Sequence, residues 1–114
     1  SQDKQNVGFG AGYIKNPKGW LKEFTSQVKE LNYDQTKKLL TELYHERCVL
    51  KKSFDSKNWR DQDNMRPDII AKNLELATAH NHAGNIIESN NISLRMCHYD
   101  SANYYLINAE LKTI

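Results

Sequence analysis

The segment from Asn32 to Phe54, NYDQTKKLLTELYHERCVLKKSF, is the longest uninterrupted helical pattern in the chain. The Asn32 side chain can accept a hydrogen bond from the first-turn amides, and Gln35 can reach back to Asn32, which together make a capping box. Apolar residues then recur at three- and four-residue steps. They are Leu39, Leu40, Leu43, Tyr44, Leu50 and Phe54. This spacing predicts a long amphipathic helix with one broad apolar face.

Helical patterns also occur on both sides of this segment. Asn16-Pro17 is a typical helix start, so a first helix is predicted from Pro17. Residues 55–66, DSKNWRDQDNMR, are predicted to form a loop because they are rich in Asp, Asn and Ser, and Pro67 is predicted to start the next helix. After Asn90, ISLRMCHY is compatible with a turn or two of helix or a short strand, and Asp100-Ser101 is predicted to cap a last helix.

These patterns predict an all-α fold of four or five helices, packed as an irregular antiparallel bundle or a helical-hairpin array. A chain of 114 residues forms one domain. Residues 1–16 contain Gly8, Gly10 and Gly12 without a sustained period, and we interpret them as a flexible N-terminal arm. Residues 17–114 are then a single helical domain.

The last third of the chain resembles tetratricopeptide-type helical hairpins. LELATAHNHAGN followed by SANYYLINAEL places small residues, an aromatic residue and a turn glycine at similar offsets. The residues that carry the resemblance are Ala77, Gly84, Ala102, Tyr105 and Ala109. The proline that usually closes each repeat is absent and no second period is visible, so the resemblance implies packing as an α-hairpin and assigns no family.

The charge is unevenly distributed along the chain. Residues 1–60 contain 12 Lys and Arg against 7 Asp and Glu, whereas residues 61–114 contain 4 against 7. The basic half could bind nucleic acid, with Trp20 and Trp59 as stacking groups. The cations on which such binding would rest are Lys15, Lys18, Lys22, Lys37, Lys38, Lys51, Lys52, Lys57 and Arg60. No run of like charges exceeds two residues, and attraction between the two halves of the fold explains the asymmetry equally well.

Cysteine and histidine residues are too few and too scattered for a recognised site. His45, Cys48, Cys97 and His98 could supply four zinc ligands, but the paired-cysteine knuckle is missing and the adjacent Cys97 and His98 diverge on a helix. The two cysteines could form a disulfide in an oxidising compartment, and otherwise we expect them to be small core residues. We predict no metal, no cofactor and no catalytic residues. A small enzyme or metal protein built around His80 or the Cys/His groups remains as a third hypothesis.

One charge falls inside the predicted apolar face. Arg47 points about 80° away from Leu39 on the central helix, and Asn73, His80 and Asn81 occupy the apolar stripe of the third helix. Either these groups satisfy one another internally, or they line a polar cleft that receives an anionic or polar group. We favour the internal interpretation, with Asn73 or Asn81 among the expected partners of Arg47.

The function we predict is non-catalytic binding of another macromolecule, preferably a protein. The sequence contains no recognised catalytic signature that would favour an enzyme instead, and the arm and the 55–66 segment could dock on a partner. The candidate contact residues are Phe9, Tyr13, Trp59 and Arg60. A nucleic-acid-binding or regulatory module is the alternative. No apolar run is long enough to cross a membrane. The sequence leaves the oligomeric state open, and of the compartments it slightly favours the cytoplasm.

Overall fold

The computed structural model describes residues 17–110, which form four helices and no strand. They are α1 (Pro17–Val28), α2 (Tyr33–Asp55), α3 (Trp59–Ile86) and α4 (Ile92–Glu110). The predicted all-α class is therefore confirmed for this part of the chain. The predicted arm, including Phe9 and Tyr13, lies outside the described residues.

Helix α2 begins where the sequence predicts. The Asn32 side chain accepts a hydrogen bond from the Gln35 amide at 2.8 Å, and the Gln35 side chain accepts one from the Asn32 amide at 2.9 Å. Asp34 adds a negative charge to the first turn, where the helix dipole favours it. The capping box is thus complete.

The prediction of a loop at residues 55–66 is wrong, because most of this segment belongs to α3. Only a short linker separates α2 from α3, since Asn58 caps α3 by accepting a hydrogen bond from the Asp61 amide at 2.9 Å. Gln62 then donates to the Phe54 carbonyl at the end of α2. The segment looks like a loop because its residues are exposed on nearly every side, and therefore need no apolar stripe. Pro67 lies inside α3 instead of starting it.

Helix α4 is continuous from Ile92 to Glu110. Asp100 and Ser101 lie within it and cap no separate helix, and the segment ISLRMCHY is helical. The Asn91 carbonyl accepts the Arg95 amide hydrogen bond that opens the helix, and the Arg95 guanidinium donates to the Ile87 carbonyl at 2.7 Å. This second contact ties the start of α4 to the end of α3.

Helix α3 is the centre of the bundle, because α1, α2 and α4 all pack against it. The main apolar cluster joins α2 and α3, with Phe24, Tyr33, Leu39 and Tyr105 packed around it. Its buried members are Leu40, Leu43, Leu76, Ala79 and Ala83. A second cluster joins Trp20 of α1 to Ala71 of α3. Close approach of α3 and α4 needs a glycine at position 84, since a Cβ there would lie 2.7 Å from the Tyr99 ring.

Candidate functional site

Several side chains buried on α3 are polar. Lys72, Asn73, Glu75 and His80 are all shielded from solvent, although a core normally excludes such groups. Three helices pack around α3, so residues that would face solvent on a peripheral helix are covered here. Each of these groups therefore needs a partner inside the fold.

Two histidines and two tyrosines form a hydrogen-bonded chain across three helices, which we call the His–Tyr chain: Tyr33 and Tyr44 of α2, His80 of α3 and His98 of α4. The Tyr33 hydroxyl lies 3.0 Å from His98 Nε2, and His98 Nδ1 lies 3.1 Å from His80 Nδ1. His80 Nε2 in turn contacts the Tyr44 hydroxyl. Each imidazole thus uses both of its nitrogens.

The contact between the two Nδ1 atoms restricts the proton arrangement. One proton must lie between these atoms, because two bare nitrogens repel and two N–H groups clash. If both imidazoles are neutral, the histidine that donates through Nδ1 accepts at Nε2, and the other accepts at Nδ1 and donates from Nε2. The chain therefore has a direction, and it can run either way.

Burial keeps both histidines neutral near pH 7. Desolvation, helped by the neighbouring His98, lowers the pKa of His80 from 6.5 to about 4. Desolvation also lowers the pKa of His98. Burial raises the pKa of Tyr44 to about 12, so its hydroxyl keeps its proton.

A second polar contact continues from this chain through Tyr105. The Tyr105 ring is nearly parallel to the His80 ring, with an interplanar angle of 7° and a centroid distance of 6.0 Å. The Arg47 guanidinium carbon lies 5.5 Å from the centre of the Tyr105 ring, and Arg47 Nε donates to Asn73 Oδ1 at 2.6 Å. Asn73 Nδ2 is buried and has no hydrogen-bond partner among residues 17–110.

The structure also contains an ionic triad around the buried Lys72 that the sequence analysis missed. Lys72, only 1 % exposed, donates from Nζ to Glu46 and to Glu75, both at 2.7 Å. A signal was present in the sequence, since Lys72 lies three residues after Ile69 and four before Leu76, both completely buried. A lysine inside an apolar stripe indicates a buried carboxylate partner.

Three of the four polar-cleft candidates come together, and the fourth does not. Arg47, Asn73 and His80 belong to the connected polar region just described, which contains the expected contact between Arg47 and Asn73. Asn81 is exposed and lines a different, shallow groove of about 210 Å³ between α1 and α3. Asn81 therefore does not share the buried face of α3 with Asn73 and His80, and placing it there was wrong.

The candidate zinc ligands do not converge. His45, Cys48 and Cys97 are exposed, while His98 takes part in the His–Tyr chain. Within residues 17–110 no group of three or more His, Cys, Asp or Glu side chains is arranged to hold a metal ion. The expectation that the cysteines are core residues is wrong, since both are free and lie on outward faces of their helices.

The described partner-binding candidates lie at the start of α3. Trp59 is 68 % exposed, and the Arg60 guanidinium carbon lies 5.2 Å from its ring centre. This pair is accessible to a partner, but the two side chains already contact each other.

The outward face of α4 carries several exposed large apolar residues. Ile92, Met96, Tyr104 and Ile107 are 65 %, 48 %, 58 % and 52 % exposed. On a helical projection they lie within a sector of about 120°, and Asp100 lies inside the same sector. We call these five residues the α4 outer face. Asp100 makes no ion pair with any side chain in the described part of the chain.

The sequence analysis did not identify this face. Apolar residues occur all around α4, with Ala102 and Ala109 buried on the inner side, so no periodicity separates the two faces. In the part of the chain that the structure describes, no helix is long and apolar enough to cross a membrane. Comparison with protein-family models, with curated proteins and with solved structures finds no match to this chain.

Proposed function

We propose that this domain binds another protein through the α4 outer face. The observation that supports this proposal is that four large apolar side chains, each between 48 % and 65 % exposed, lie on a single face of one helix. Isolated exposed apolar residues are normal, but a contiguous apolar surface with a polar rim is typical of an interaction site.

The charge within this face indicates what the partner presents. Asp100 lies among Met96, Tyr104 and Ile107, and an apolar partner would leave its carboxylate desolvated and unpaired. A second copy packed antiparallel about the middle of α4 would bring two Asp100 carboxylates together, which is unfavourable. We therefore propose a partner segment with an apolar stripe and one Lys or Arg opposite Asp100, such as an amphipathic basic helix.

The first step of the test identifies the partner. A photo-reactive side chain at position 96 captures whatever covers α4, and the same group at Val49 serves as control, because Val49 is a similarly exposed apolar residue on α2. A crosslink within the chain, to residues 1–16, or to a second copy would show that the face is already occupied, and would contradict the proposal.

The second step measures the affinity of the purified partner. Met96→Glu and Asp100→Lys are both expected to raise the Kd by about tenfold or more, since each corresponds to at least about 1.4 kcal/mol at the centre of an interface. Val49→Glu should leave the Kd unchanged. Equal affinity of the wild type and Met96→Glu would refute the proposal.

A further inference from the structure

We propose that the contact between His80 and His98 is a pH-sensitive switch, which holds α4 against α3 at neutral pH and releases α4 in acid while α2 and α3 stay packed together. The proposal goes beyond protein binding through the α4 outer face and does not depend on it. It rests on two features of the structure. One is the number of protons that the histidine contact can hold, and the other is the way in which α4 is attached to the bundle.

The closed histidine pair can take up only one additional proton. Two neutral imidazoles carry one proton each, and the 3.1 Å between their Nδ1 atoms accommodates a single N–H. One further proton fits, because both Nε2 atoms can then donate to the Tyr33 and Tyr44 hydroxyl oxygens. Another would place two N–H groups against each other across the contact. Separated histidines each take up a proton of their own, so acid favours separation.

Burial makes even the first additional proton unfavourable while α4 is in place. Desolvation, helped by the neighbouring His98, lowers the pKa of His80 to about 4, and desolvation also lowers the pKa of His98. When α4 moves away, water reaches both imidazoles and their pKa values return towards 6.5. Between pH 6.5 and 4 the released form therefore binds protons that the closed form does not, and release is favoured as the pH falls.

The other ionisable groups around the pair do not oppose this effect. Burial raises the pKa of Tyr44 to about 12 and also raises the pKa of Tyr105, so both hydroxyls stay neutral in acid. Arg47 reaches this region through the Tyr105 ring. Within residues 17–110, no carboxylate pairs with either histidine to stabilise its charged form, and α1 makes no hydrogen bond or ion pair with them.

The apolar packing explains why α4 is the helix that moves. Helices α2 and α3 share the main apolar cluster, which contains three buried leucines. The buried residues of α4 are Ala102 and Ala109, and an alanine removes less apolar surface from water than a leucine does. The attachment of α4 therefore depends more on polar contacts such as the histidine pair. The contact between Arg95 and Ile87 lies beside the turn, where it keeps the released helix tethered.

The test is amide hydrogen exchange of the full chain at pH 7.5 and pH 5, followed by mass spectrometry and corrected for the intrinsic effect of pH on exchange. A group whose pKa rises from about 4 to 6.5 on release favours the released form about thirtyfold more at pH 5 than at pH 7.5. A detached helix of this length is marginal in water. We therefore expect protection of residues 96–110 to fall about tenfold or more relative to protection of α2 and α3.

A double variant assigns the effect to the histidines. In His80→Gln, His98→Gln neither side chain can take up a proton, so protection of α4 should change less than about threefold between the two pH values. His45→Gln is the matched control and should behave as the wild type, because His45 is exposed on α2. Circular dichroism at pH 7.5 establishes that the double variant is folded. If it is not, NMR titration of the wild-type imidazoles decides, since both must gain a proton in the pH interval in which α4 loses protection.

Four results would overturn the proposal. They are unchanged protection of α4 at pH 5, an equal loss of protection in α2, α3 and α4, the same loss in α4 of the folded double variant as in the wild type, and imidazoles that gain their protons outside the interval in which α4 opens.

Discussion

Acidification should destabilise this fold through His80. Its side chain is only 5 % exposed and its pKa falls from 6.5 to about 4 on folding. Between these values the unfolded chain binds a proton that the folded chain does not, so the contribution of His80 is complete above pH 6.5 and is lost as the pH falls towards 4. For a single group with these two pKa values, stability should fall by about 2 kcal/mol between pH 7.5 and pH 5.

The neighbours of His80 allow this effect to be assigned. Tyr44 of α2 and Tyr105 of α4 both have raised pKa values and stay neutral throughout this range. Arg47 packs on the Tyr105 ring. His98 is the remaining titrating neighbour, and its lowered pKa acts in the same direction. Protonation of both histidines would also place two N–H groups against each other across the Nδ1 contact.

Urea unfolding followed by circular dichroism at several pH values between 5 and 7.5 tests this prediction. His80→Gln should be less stable than the wild type at pH 7.5, but it should lose about 2 kcal/mol less between pH 7.5 and pH 5. His45→Gln is the control and should follow the wild type, since His45 is exposed. If stability falls as steeply in His80→Gln as in the wild type, His80 is not the group responsible.

The remaining predictions concern the helices and their buried charges, and each can be measured by urea or thermal unfolding. Asn32→Ala removes the α2 cap and should cost about 1 kcal/mol; an unchanged midpoint would contradict the role of the cap. Pro67→Ala restores a backbone donor inside α3 and should stabilise the protein by up to about 3 kcal/mol, and a loss of stability would contradict this account. Lys72→Met leaves the Glu75 carboxylate buried against an apolar group and should cost about 3–5 kcal/mol at pH 7, with a smaller loss if Glu75→Gln is added. Arg47→Met should change stability and leave binding through α4 intact, whereas lost binding in a folded variant would show that Arg47 contacts a ligand.

Local signals predicted the helices better than the boundaries between them. The capping box at Asn32 and Gln35 is a short-range interaction, so it can be read from two residues and is present in the structure. The same kind of signal existed at Asn58, with Asp61 three residues later, but the polar composition of the segment outweighed it. A proline also suggested a helix start at residue 67, although a long packed helix can tolerate one lost hydrogen bond.

The buried polar contacts were only partly predictable. Arg47 and Asn73 could be proposed as partners because both interrupt apolar stripes, and they do form a hydrogen bond. The His–Tyr chain depends on residues from three helices, and the relative placement of α2, α3 and α4 is not encoded in any local spacing. His98 in particular follows Cys97 in a segment whose secondary structure the sequence left undecided.

Helix α3 buries polar residues and α4 exposes apolar ones, which is the reverse of the usual arrangement. Both features have a physical explanation. In α3, Lys72 is held by carboxylates and His80 by a tyrosine and a histidine, so these groups can be buried without a large desolvation penalty. In α4 the small residues Ala102 and Ala109 fill the inner side, which lets the helix approach α3 closely and leaves its larger apolar residues outside. Nothing within α2, α3 or the rest of residues 17–110 requires apolar groups on that outer side. The free energy that would be gained by covering them is therefore available to a partner, which is why the α4 outer face, and not the buried polar region, is where we place protein binding.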